Sequence, residues 1–194
     1  MPASQAFKNA KTYSKALADN SSLAIIPFSM AAELLEVEVS TVQGYVRRGT
    51  LSEISVGPKR RWVGVLASEI RQKRRVRAKL LRDLIKIAEP ILVQAAKDQK
   101  TLEYNADLMI ALDLKHSHAQ DRDMLGKVLG ELSKSSNKSD NCMISVVAVR
   151  KKDAKPNKAF FALARSLNVL AATGDENQFF KEHKETVYKK YLRK

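Results

Sequence analysis

Apolar positions along the chain change their spacing several times, and each change marks an element. Between Phe7 and Leu17 they are loosely spaced for a helix, and Asp19-Asn20-Ser21-Ser22 breaks it, which predicts an N-terminal arm or short helix over residues 1–22. The stretch IIPFSMAAELLEVEVSTVQGYVRRG predicts two short helices, from about Ser29 to Leu35 and from about Ser40 to Arg48, joined by a tight connection through Glu36 to Val39. Gly49 suits the left-handed position that ends a helix. Beyond it the period shortens: Leu51, Ile54 and Val56 are strand positions, Gly57-Pro58 is a turn, and Trp62-Val63 begins a return strand. The tip of that hairpin carries Lys59, Arg60 and Arg61.

The helical period returns in LASEIRQKRRVRAKLLRDLIKIAEPI. At about 100° per residue, Val76, Leu80, Leu84, Ile87 and Ile91 fall in one stripe and Arg71, Arg74, Arg75 and Arg82 fall opposite it. Residues 71–97 are therefore expected to be a basic amphipathic linking helix, kinked or ended by Pro90. The apolar seam is short of three heptads, so both self-pairing and packing on the chain's own second domain stay open. From residue 98 to 194 the pattern restarts as an α+β domain. It predicts a short strand at Leu102–Tyr104, helices near Ala106–Leu112 and Asp123–Ser133 around the polar connection HSHAQDRD, and a buried strand at Met143–Val149. A Lys-rich loop, the helix AFFALARSL and a basic terminal helix, QFFKEHKETVYKKYLRK, complete it. The fold class is mainly α with small β.

Charge narrows the partners. The chain has 35 Lys and Arg against 21 Asp and Glu, a net +14, and most of the excess sits between Arg47 and Arg82, where twelve cations face only Glu53 and Glu69. A local +10 in 36 residues is a footprint for a polyanion. No apolar run approaches about 18 residues and the N-terminus lacks the apolar core of a signal peptide, so the expectation is a cytoplasmic, nucleoid-associated protein with no membrane partner. Cys142 is the single cysteine, which excludes an internal disulfide, and His116, His118 and His183 make no paired Cys/His pattern for zinc. His183 is read as a surface residue of the last helix.

Two short helices joined by a tight turn and followed by a hairpin with a cationic tip make a winged helix-turn-helix, expected over residues 23–70. One element can enter a major groove while the other grips phosphate or the neighbouring minor groove. Ala31-Ala32, Leu34-Leu35, Val37, Thr41-Val42, Val46, Gly49 and Leu51 resemble the excisionase and MerR-type winged helix-turn-helix family in residue type and spacing, over about Ile26 to Ile70. The resemblance implies that the second helix reads DNA through Ser40, Gln43, Gly44 and Arg47, and that a basic wing, Lys59, Arg60 and Arg61, contacts the backbone. Arg48, and Arg71, Arg74 and Arg75 on the basic back of the next helix, extend the expected DNA-binding set. This chain departs from the family pattern at Glu36, where glycine is usual in the turn, and at Glu38, where a serine usually caps the second helix, leaving Ser40 to cap instead. Gly44 replaces a long side chain, so Gln43 and Arg47 are the main candidates for base edges.

The second half resembles an uncharacterised bacterial domain family with a pattern like Leu-Gly-x-x-Leu-Gly-x-Ile-Ser, a strand, and a Pro-Gly loop before Phe-Phe-x-Leu-Ala. The matching stretches are Leu125 to Ser133 and Ile144 to Ala164, with Asn157 where glycine is usual, over about Lys100 to Leu167. The resemblance names no activity. Strand, helices and strand again suggest a second winged-helix-like arrangement, and the layout has a faint likeness to the DNA-binding domain of alkylguanine transferases, without its Pro-Cys-His-Arg motif. Glu131, Asp140, Lys151 and Asp153 flank a strand, but their spacing fits no nuclease motif, so no catalytic residue, metal or cofactor is assigned. The expected function is sequence-specific binding of double-stranded DNA, as a transcriptional regulator or excisionase-like architectural factor of a bacterium or mobile element. A homodimer is expected, and a protein partner is possible through the C-terminal domain. The competing expectation is an interaction protein that regulates another nucleic-acid-handling enzyme.

Overall fold

A computed structural model describes residues 5–7, 10–57 and 62–193. The chain is mainly helical with two small sheets and divides into two compact units, Met1–Lys79 and Leu80–Lys194.

In the first unit, β1 (Gln5–Phe7) and α1 (Ala10–Asp19) precede a 3₁₀ turn, Ser21–Leu23, and β2 (Ile25–Pro27). Then come α2 (Phe28–Leu35), α3 (Val39–Arg47) and the hairpin strands β3 (Glu53–Val56) and β4 (Trp62–Leu66). The sheet order is β1-β3-β4-β2, with β1 parallel to β3 and the other pairs antiparallel. Neither β1 nor β2 is foreseen by the pattern, because three-residue strands leave no periodic signal. Gly64 is where β2 comes closest: a Cβ there would lie 2.4 Å from the Ile26 carbonyl oxygen, so only glycine fits the β2–β4 pairing.

The core of this unit is small. Ala31, Ala32 and Leu35 of α2 meet Val42, Leu51, Val65 and Ile70. The turn between α2 and α3 is set by Glu36, which takes the left-handed conformation at φ 54° although it has a side chain. Its N–H reaches the Glu33 carbonyl and the Val37 N–H reaches the Ala32 carbonyl, both at 3.0 Å, which closes a Schellman end. The same motif recurs at Gly49, φ 67°, where Thr50 N–H bonds the Tyr45 carbonyl at 2.9 Å. Glu36 thus holds a side chain in a backbone state that favours glycine.

Helix α4 (Ala67–Lys97) contains the boundary between the units. It runs through Pro90 to Lys97, so of the two expected effects of the proline the ending of the helix does not occur. Leu84, Ala88, Leu92, Ala95 and Ala96 are buried in the second unit's core on both sides of the proline, and that packing offsets the roughly 3 kcal/mol of a mid-helix proline. The predicted stripe divides, with Leu84 and Ile91 on the second unit's core and its other members outside it. Leu84 is buried, but Val76, Leu80 and Ile87 are 63%, 46% and 47% exposed, because the core takes the adjacent stripe, whose alanines allow close approach and carry little hydrophobic signal. The second unit therefore starts inside α4 rather than at residue 98.

In this unit β5 (Leu102–Glu103) leads into a π-helical turn, Tyr104–Leu108, and α5 (Met109–Ala111). Next come α6 (Ala119–Asp140), a 3₁₀ turn at Ile144–Val147, β6 (Ala148–Val149), α7 (Lys158–Ser166) and α8 (Glu176–Leu192). The expected Met143–Val149 strand is buried throughout but only its last two residues extend, and they pair in parallel with β5. A wing is an antiparallel hairpin, so this parallel pair corrects the winged-helix-like expectation for the second half. Helix α6 is longer at both ends than the apolar pattern shows, because its extra turns are polar, although Ser136 in them is buried. Side chains satisfy the buried backbone of the 3₁₀ segment: Met143 N–H donates to His183 Nε2 at 2.8 Å and Ile144 N–H to Ser136 Oγ at 3.0 Å. His183 is thus buried, not a surface residue. It shares a helical face with Phe180 and Val187, stacks on Phe179 at 4.9 Å between ring centroids, and burial holds its pKa down at about 4.

Candidate nucleic-acid interface

Helix α3 has one face to bury and one to offer. Val42 is buried, with Tyr45 and Val46 against the core, whereas Ser40, Gln43 and Arg47 recur at helical spacing on the exposed side. Ser40 does not cap the helix. Glu38 is the N-cap residue, with no side-chain capping bond, and Ser40 lies inside the first turn, free to face outward. Gly44 is buried rather than open to a ligand: a Cβ there would lie 3.1 Å from an Arg48 guanidinium nitrogen. Arg48 is itself exposed and its guanidinium carbon sits 5.5 Å from the Tyr45 ring centroid, so the surface beside Gly44 belongs to Arg48.

Polar contacts hold α3 against its neighbours. Lys73 of α4 reaches the Tyr45 ring, 4.5 Å from its centroid, and Arg77 donates to the Leu35 carbonyl at 2.8 Å, at the negative end of α2. Glu69 accepts from both Ser52 N–H and Ser52 Oγ at 2.7 Å, tying the start of the hairpin to α4. Charge counting could not separate Lys73 and Arg77 from the free cations around them. Only the period could: with Ile70 they form the inward side of α4.

That same period divides the predicted cations. Arg71, Arg74 and Arg75 are all exposed, but Arg71 and Arg75 lie on the side of α4 opposite Ile70, Lys73 and Arg77, pointing away from α3. Arg74 lies between the two sides. The structure therefore brings Ser40, Gln43, Arg47 and Arg48 together on α3 and sets Arg71 and Arg75 on a second surface. Lys59, Arg60 and Arg61 lie outside the described residues. At the base of their hairpin Gly57 has φ 92° and Trp62 is 58% exposed.

Among the described residues no group of three His, Cys, Asp or Glu is placed to hold a metal ion. The acidic residues weighed for nuclease chemistry are otherwise engaged: Glu131 pairs with Lys134, Asp153 with Arg150, and Asp140 accepts from Tyr191 Oη at 3.4 Å. No helix among the described residues is long and apolar enough to cross a membrane. Comparison with protein-family models, curated proteins and solved structures finds no match to this chain.

Proposed function

We propose that the first unit is a winged helix-turn-helix that binds double-stranded DNA without chemistry, with α3 as the reading helix and the β3–β4 hairpin as the wing. The observation that carries the reading is the outer face of α3, where Ser40, Gln43 and Arg47 stand free while the inner face is pinned by Tyr45, Lys73 and the core. Helix order, the tight left-handed turn at Glu36 and the local excess of cations support it. Gln43 and Arg47 are suited to base edges, Arg48 and the wing cations to phosphate. Such a module serves a transcriptional regulator or an excisionase-like architectural factor in a bacterial cytoplasm. A single module buries about 600–1,000 Å², so the proposal includes paired copies, for which the exposed Leu80 and Ile87 of α4 offer an apolar edge.

Duplex retardation across a salt series tests it. Gln43→Ala should cost about 1–3 kcal/mol on the preferred sequence and little on scrambled DNA, whereas Arg60→Ala/Arg61→Ala should weaken both equally and flatten the salt slope by roughly one unit for each phosphate no longer neutralised. Equal behaviour of the two variants, or no retardation at ~100 μM protein in low salt, overturns the proposal.

A further inference from the structure

A cavity of about 440 Å³ opens in the second unit. Its floor is apolar, made by Met109 of α5 and by Leu125 and Leu129 of α6. Four cations, Arg122, Arg150, Lys151 and Lys152, also line it, and none of the lining residues is acidic. Like charges gathered at a concave surface repel one another and raise the local potential for an anion. Neutralisation from within the unit is slight: Arg150 pairs with Asp153 at the surface, Arg122 donates to the His116 carbonyl, and Lys151 and Lys152 have no carboxylate partner among the described residues.

The backbone around the cavity is unusual in two places. Tyr104 and Asn105 enter from the π-helical turn, a geometry that recurs at binding sites. The cations Arg150 to Lys152 sit on a turn closed by Arg150 N–H on the Lys155 carbonyl at 2.8 Å, with Ala154 in the left-handed conformation at φ 50°, unfavourable for a residue with a Cβ. Asn157, the N-cap residue of α7, also lines the cavity. Its Oδ1 is taken by Phe160 N–H at 3.0 Å, which leaves its amide N–H₂ to donate. Tyr104 Oη accepts from Asn157 N–H at 3.2 Å and keeps its own proton to donate, and burial raises its pKa, so it adds no negative charge at neutral pH.

We propose that this cavity binds a phosphorylated nucleoside, its base on the apolar floor beside Tyr104, the base edge met by the Asn105 and Asn157 amides, and the phosphate among the four cations. A fatty acid would leave both amides unused and inorganic phosphate would leave the floor empty. The nucleotide comes either free or as a residue of a single strand.

Calorimetric titration of the full-length protein at low salt distinguishes these. The probes are AMP, GMP, CMP and TMP, adenosine and inorganic phosphate as controls, and a strand of roughly five nucleotides. At least one monophosphate should bind one per chain, about tenfold or more tighter than nucleoside or phosphate alone. Gly126 lines the cavity and a Cβ there meets nothing within 4 Å, so Gly126→Leu starts its side chain in open space and narrows the cavity. That variant, checked for fold by circular dichroism, should lose binding by at least about tenfold, as should Lys151→Gln/Lys152→Gln. Binding of the strand but not of monophosphates, abolished by Gly126→Leu, assigns the site to a nucleotide within a strand. Arg47→Ala should change none of this, so failure of duplex recognition and failure of the cavity are read separately. No saturation by monophosphate or strand at ~1 mM, equal affinity for inorganic phosphate, or binding that survives Gly126→Leu overturns the proposal.

Discussion

The second unit gathers 28 buried apolar residues in one cluster, from Leu84 of α4 to Tyr191 of α8, while the first gathers seven among the described residues. With so small a core, the first unit fixes its elements by directional contacts: Glu69 on Ser52, Arg77 on the end of α2, Lys73 and Arg48 on Tyr45. Those contacts decide which cations are free. Both units bury serine side chains, but only the second, with its larger interior, buries an imidazole, that of His183, and it also leaves a cavity. The first unit thus leans on polar ties between its elements, and the second on its interior.

The comparison predicts different weak points. The largest effect should come from Leu92→Ala, which empties a fully buried site in the large core and should cost about 2–5 kcal/mol in urea unfolding followed by circular dichroism. A loss below about 1 kcal/mol would mean that the core collapses around the site and is less tightly packed than its burial implies.

Next in size is a pH effect specific to the second unit. The unfolded His183 titrates near 6.5 and the folded one at about 4, so between those values the unfolded chain binds the proton and the folded one does not. Stability is therefore complete above about pH 6.5 and declines as pH falls toward 4, by on the order of 3 kcal/mol. His183→Gln keeps an acceptor for Met143 N–H and does not titrate, so its urea midpoint should depend less on pH over that window. Parallel pH profiles for the two proteins would remove the histidine from the account.

The smallest effect tests the first unit's reliance on polar ties. Glu69→Ala strands the buried Ser52 N–H and hydroxyl and should cost about 1–3 kcal/mol, with Glu69→Gln losing less because its amide oxygen still accepts. If the alanine variant were neutral, the apolar cluster alone would hold the hairpin.

Much of the first unit was legible because its signals are local. Helices α2 and α3, the hairpin and the exposed triplet Ser40, Gln43 and Arg47 follow from period and from Gly49. Helix ends elsewhere were harder to read, since Gln99, Asp113, Asn141 and Asn168 take the left-handed position without a glycine to announce it. The run from Met143 to Val149 reads as a strand because it is apolar apart from Ser145, yet most of it is a 3₁₀ turn stabilised by partners up to forty residues away, His183 among them.

The sequence by itself determined the helical periods, the charge and its concentration between Arg47 and Arg82, because these depend only on residue type and spacing. Only the tertiary structure decided which stripe of α4 is buried, which of its cations are tied to Tyr45 and Leu35 and which stay free, and that His183 lies inside. Each of these turns on whether a distant element supplies a partner. That a glutamate, not a glycine, makes the turn before α3 has the same cause, because the packing of α2 against α3 outweighs a local backbone preference of about 1–2 kcal/mol.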